Sequence, residues 1–124
     1  MTQTALQVVQ HFQESMKARS PEWQTLFAED IVFKGPIDTV QGKAANIELN
    51  QNFMPLIKDY EARNAFAQGE LVTLEGRYTV QAPSGKSIQF DMAEIYEVKA
   101  GKIQNIRVYY DAEEFRKEFA PQVG

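Results

Sequence analysis

The chain has 124 residues, a net charge of −4, no cysteine and one histidine. That length suits one domain with a real core, and the acidic balance argues against nucleic acid or an anionic membrane surface as a partner. Without cysteine there are no disulfides, thiol nucleophiles or zinc clusters, and a serine triad would have to use His11. No apolar run approaches the roughly 20 residues of a spanning helix, and Met1-Thr2-Gln3-Thr4 has neither the basic nor the apolar region of a signal peptide. A soluble, cytoplasmic, single domain over residues 1–124 is expected.

From Gln3 to Ala18, Ala5, Val9, Phe12 and Met16 recur at helical spacing and predict an amphipathic first helix. Ser20-Pro21-Glu22 supplies a cap oxygen, a proline suited to the first turn and an acid at the positive helix end, so a short second helix carrying Trp23, Leu26 and Phe27 follows. Ile31-Val32-Phe33-Lys34 reads as a strand that stops at Gly35-Pro36. Asp38 to Gly42 is then a loop or short hairpin before a third helix from Lys43, which Pro55 ends or kinks.

Tyr60 to Asp111 reads as antiparallel sheet. Val72, Leu74, Tyr78 and Val80 alternate with polar residues, and Gly69, Pro83-Ser84-Gly85 and Ala100-Gly101 mark the turns. Asp111 to Glu114 has capping-box spacing, and Phe115 and Phe119 lie one turn apart on a last short helix. A two-residue turn at Ala100-Gly101 would pair Lys99 with Lys102. Ile95 would then oppose Ile106, Ala93 oppose Val108 and Asp91 oppose Tyr110 on one face. The other face would carry Glu94 against Arg107 as an outer ion pair, Met92 against Tyr109 and Tyr96 against Asn105. Met92, Tyr96 and Tyr109, uncovered by helices, then predict a homodimer.

This order of elements resembles the cone-shaped nuclear-transport-factor-two-like fold, an α+β roll in which a curved antiparallel sheet packs on N-terminal helices. The segments that carry the resemblance are Val8-Val9-Gln10-His11-Phe12, Leu26 through Phe33, Val40-Gln41-Gly42-Lys43-Ala44-Ala45, Ala100-Gly101-Lys102-Ile103 and Arg107 through Asp111. The superfamily includes ketosteroid isomerase, limonene epoxide hydrolase and the SnoaL-like polyketide cyclases, and it hosts enzymes, binding modules and adaptors on one scaffold. The resemblance aligns the isomerase's oxyanion tyrosine with Phe12, its base with Gly35 and its protonated aspartic acid with Ala93. The final-strand aspartate of the cyclases and the hydrolase aligns with Val108. None of these side chains carries a proton, so neither the isomerase nor the epoxide hydrolase activity is expected.

The candidate catalytic residues are Asp91, Tyr110 and Asp38. The predicted register puts the Asp91 carboxyl beside the Tyr110 phenol on an apolar face, where a carboxyl resists ionisation; as an alternative, Asp91 meets water at a strand end. Asp38 sits near the isomerase's base position, or is a turn aspartate bonding its own backbone. His11 flanks the apolar stripe and reads as a solvated helix histidine, with a pocket base as the alternative. Candidate ligand contacts by fold position are Phe12, Trp23, Phe33, Leu49 and Phe53, joined on the predicted face by Ala93, Ile95 and Val108; all could equally be core. There is no metal-ligand set and no cofactor motif. The expected function is a pocket for a small apolar, polyketide- or steroid-like molecule, with or without isomerase- or cyclase-like turnover by a non-standard acid. The alternatives are an interaction module whose cone is filled by side chains and an adaptor using the outer sheet face.

Overall fold

The computed structural model describes residues 3–119. Helix α1 (Ala5–Lys17) starts on a capping box: Gln7 N–H donates to Thr4 Oγ1 at 3.1 Å and Thr4 N–H donates to Gln7 Oε1 at 2.9 Å. Its Val8, Val9 and Phe12 are buried, and so is Ser15, whose hydroxyl accepts from Trp23 N–H at 2.8 Å. That bond fixes the following short helix, Pro21–Leu26, against α1; its turns are of the tighter 3-10 kind.

The remaining elements are β1 (Phe27–Lys34), β2 (Thr39–Gln41), α2 (Lys43–Phe53), β3 (Ile57–Gln68), β4 (Leu71–Gln81), β5 (Ser87–Lys99), β6 (Lys102–Tyr109) and α3 (Glu113–Phe119). Helix α2 ends at Phe53, and a single 3-10 turn through Pro55 leads into β3. On α3, Glu113 N–H donates to Asp111 Oδ1 at 3.0 Å, so Asp111 does cap the last helix.

The strands form one six-stranded sheet in the order β2-β1-β6-β5-β4-β3. All neighbours are antiparallel except β1 and β6, which run parallel with Phe33 opposite Ile106. The strand expected from Ile31 begins earlier, at Phe27, because Phe27 and Ile31 both enter the core. Helix α1 lies across the concave face over β3 to β6, and this side holds the core of Val9, Phe12, Trp23, Phe27, Tyr96 and Ile103.

The β5–β6 hairpin corrects the predicted register. Lys99 pairs with Lys102 and Val98 with Ile103, but Glu97 then pairs with Asn105, leaving Gln104 as an extra residue in a β-bulge. The cause is the spacing of Ile103 and Ile106. Three residues apart, they cannot share one face of a regular strand, and the bulge lets both enter the core. Beyond it every pairing shifts by one: Tyr96 opposes Ile106, Ile95 opposes Arg107, Glu94 opposes Val108 and Ala93 opposes Tyr109. A one-residue slip exchanges the faces. Met92, Glu94 and Tyr96 therefore point into the core, while Asp91, Ala93 and Ile95 lie on the outer face.

The argument for a homodimer loses Met92 and Tyr96, both buried, and keeps only Tyr109, which is 56% exposed. Among the described residues no helix is long and apolar enough to cross a membrane.

Candidate functional site

Strand β5 alternates strictly. Ile88, Phe90, Met92, Glu94, Tyr96 and Val98 are all buried, and Glu94 is the carboxyl among them. It is 7% exposed, between Leu74 of β4 and Val108 of β6. Two phenols hold it: Tyr96 O–H donates to Glu94 Oε2 at 3.1 Å, and Tyr78 O–H donates to Oε1 at a longer 3.4 Å.

Loss of hydration disfavours the charged form and pushes the Glu94 carboxyl up to about 7, while the hydrogen bonds from Tyr96 and Tyr78 pull the other way. Burial and then the Glu94 charge raise both phenols well above the ordinary tyrosine range. Tyr60 is raised for the same reasons, with a hydrogen bond to Gln13 opposing. At neutral pH the cluster therefore holds neutral phenols around a carboxyl able to give or take a proton.

On one side of Glu94, under α1, Phe12 packs against Trp23, Phe27 and Tyr96 with ring centroids 6.2, 5.5 and 6.0 Å away. On the other side, Tyr78 meets Tyr60 at 4.6 Å, Phe90 at 5.8 Å and Phe53 at 6.2 Å. This second group continues through Tyr110, 5.0 Å from Phe90, to Phe115 of α3, 6.0 Å from Phe90. An unbroken chain of packed rings thus runs from Tyr78, beside Glu94, to α3.

Of the candidate ligand contacts, Phe12, Trp23 and Val108 are buried on the concave side, and Phe33, Leu49 and Phe53 are half-buried. Tyr110 is half-buried as well, and burial raises its phenol against the opposing effect of Arg116. Ala93 and Ile95 are turned away by the bulge. So is Asp91, which does not meet Tyr110. Its side chain is 57% exposed, and Oδ1 accepts from Arg63 Nη1 and Arg77 Nε, each at 3.2 Å. The expected Glu94–Arg107 ion pair is absent, since Arg107 stands opposite Ile95 on the outer face.

Asp38 is exposed and its Oδ1 accepts from Thr39 N–H at 2.9 Å, the turn role weighed for it. His11 is bonded to Glu22 at 3.0 Å on the surface. Sequence reasoning missed Glu94, Tyr78 and Tyr96 as a group. The signal was present: the even positions of β5 are apolar throughout except at Glu94, a cleaner core face than the odd ones. Among the described residues no cluster of histidine, aspartate and glutamate could hold a metal.

The family described as SnoaL-like domain matches residues 8–106. No curated protein sequence matches the chain significantly. Solved structures that share the fold include a nuclear-transport-factor-two-like protein from Burkholderia xenovorans, with TM-score 0.80 and 25% identity over 95% of this chain and 97% of that one. A candidate isomerase from Rhodopseudomonas palustris aligns with TM-score 0.75 and 21% identity over 98% and 99% of the two chains. TerC, co-crystallised with polyporic acid, aligns with TM-score 0.77 and 16% identity over 94% and 98%.

Proposed function

We propose, from the premise that the chain belongs to the SnoaL-like domain family, that it takes a small, largely apolar molecule on its concave side and moves a proton on it through Glu94. The observation that carries this is a carboxyl buried among aromatic rings, held by two phenols and brought to about 7. A group poised near the working pH is an efficient general acid–base, since it is both sufficiently ionised and sufficiently strong. That TerC was co-crystallised with polyporic acid supports a small organic occupant for this fold. That a structure of this fold is described as a candidate isomerase is compatible with rearrangement of a single substrate as the chemistry.

In the proposed step, the Glu94 carboxylate takes a hydrogen from the carbon beside a carbonyl. The electrons of that C–H bond pass to the carbonyl oxygen as an enolate, and Glu94 returns a proton to the same carbon or to a conjugated one. The test is exchange of the hydrogens of cyclohexanone in deuterium oxide, followed by proton NMR. The wild-type protein should speed exchange, increasingly as pH rises through about 7, and Glu94→Gln should lose about a hundredfold of that rate. Exchange at the buffer rate in wild type would favour a non-catalytic module, and equal rates in the two proteins would remove Glu94 from the chemistry.

The homodimer is proposed again, on a different set of residues. Phe66, Leu71 and Tyr109 are exposed on the outer face. A two-fold axis between two such faces would bury these apolar side chains against one another. Light scattering at micromolar concentration should give a dimer mass that falls to monomer in Tyr109→Glu; a monomeric wild type would refute it.

A further inference from the structure

Strand β4 presents bulky side chains to the concave face except at one point. Gly76 is buried there with Met92 of β5 opposite on one side, Ala62 of β3 opposite on the other, and Glu94 diagonally adjacent. A methyl group at Gly76 would meet the Tyr60 ring at impossible distances: 2.5 Å to Cε1, 2.6 Å to Cζ and 2.6 Å to the hydroxyl oxygen. The missing side chain is thus a recess floored by bare backbone, and the phenol of Tyr60 fills it. Gly76 is not a turn and has no positive φ, so this recess is what glycine supplies.

The occupant is loosely kept. Tyr60 is half-buried and comes from β3, which among the described residues is an edge strand paired to β4 alone, and every residue of β3 after Tyr60 is exposed. Its ring rests 4.6 Å from that of Tyr78, the residue whose hydroxyl reaches Glu94. Turning Tyr60 outward about its side-chain bonds breaks no strand pairing and gives up one side-chain hydrogen bond, to Gln13 of α1. It uncovers a slot bounded by Gly76, Ala62, Met92 and Tyr78, on the way to the carboxyl. What fits where a tyrosine side chain lay is a ring of the same size, with a polar group in the place of its hydroxyl.

We propose that the recess over Gly76 is a binding subsite for a hydroxyl-bearing, phenol-sized ring, and that Tyr60 is its resident gate, displaced when such a ring enters. This deepens the concave-site reading above and rests on it for the link from the recess to Glu94, while the ring's hydroxyl takes the hydrogen bond with Gln13 that Tyr60 gives up. It does not require turnover. Tyr60 acts as an internal competitor, so removing it strengthens binding, and Gly76 sets the size of ring admitted.

The experiment measures binding of para-cresol, the tyrosine side chain as a free molecule, and of toluene, the same ring without the hydroxyl, to the full chain by calorimetry. Tyr60→Ala should bind para-cresol about tenfold or more tighter than wild type, because no gate has to be displaced. It should prefer para-cresol to toluene by about fivefold or more, the worth of one neutral hydrogen bond. Gly76→Ala added to Tyr60→Ala should abolish the para-cresol binding. Should Tyr60→Ala fail to fold, Tyr60→Val, which suits a strand, takes its place in every comparison.

Equal para-cresol affinity in wild type and Tyr60→Ala would overturn the gate. Equal affinity for the two ligands would show a mere cavity, and insensitivity to Gly76→Ala would move the site elsewhere. Loss of cyclohexanone exchange with this pattern intact would refute the proton-transfer reading alone, whereas exchange without the pattern would refute the gate alone.

Discussion

Glu94→Gln should raise the melting temperature markedly at about pH 8 and leave it almost unchanged at about pH 4.5. In the folded protein the carboxyl is raised from 4.5 to about 7, so between those values the unfolded chain has lost a proton that the folded chain still holds. A group with a raised folded pKa contributes its full stability below the unfolded value and loses it as pH climbs through the folded one. The loss is about 3 kcal/mol once pH exceeds about 7, following the shift at 1.36 kcal/mol per unit. Glutamine carries no charge to desolvate, and its carbonyl can accept from one phenol while its amide donates to the oxygen of the other.

In a domain of this size that difference amounts to several degrees. Thermal melts of both proteins at the two pH values decide the matter. A glutamine variant destabilised equally at both would mean that the carboxyl is not the strained group of the core.

Asn46→Ala should cost about 3 kcal/mol. Asn46 is fully buried in the first turns of α2. Its side-chain amide donates toward three backbone carbonyls, Gly42 at 2.8 Å, Val40 at 3.2 Å and Ile31 at 3.3 Å. Those carbonyls belong to the start of α2, to β2 and to β1, so one amide holds three segments together. Alanine strips the donor and leaves a small void beside acceptors that water cannot reach. Asn46→Asp should be worse still, because it turns a carboxylate oxygen onto the same carbonyls. Urea unfolding should rank wild type above Asn46→Ala and Asn46→Asp below both; an aspartate variant as stable as wild type would mean that the amide does not serve as the clamp.

Much of the fold was readable from local pattern. The α1 stripe, the turns at Gly69, Gly85 and Gly101 and the alternation of β4 each depend on near neighbours, and each lies where the pattern puts it. The parallel pairing of β1 with β6 depends on residues far apart in the chain and leaves no periodic trace.

The β5–β6 register was misplaced by one residue, and the reason is specific. The turn at Ala100-Gly101 was read correctly, but a bulge at Gln104 is silent in a scheme that counts outward from the turn. Its only sign is the three-residue spacing of Ile103 and Ile106. The slip exchanged an arginine-bound surface carboxyl, Asp91, for the buried one, Glu94. It also exchanged the outward Ala93 and Ile95 for the inward Met92 and Tyr96.

The place of β6 between β1 and β5 also dictates the order in which the molecule can assemble. Strands β3 to β6 form a run of hairpins that can zip up from adjacent segments, and β1 with β2 forms another. The two runs meet at a single seam, where Phe33 has to find Ile106 across most of the chain. Closing so long a loop is entropically expensive before any contact rewards it, which places folding toward the slow, millisecond-to-second end for a domain of this kind. During synthesis the apolar faces of Phe27 and Ile31 have no sheet to enter until β6 has been made, so the interval before its arrival is when this chain is most exposed to misassembly.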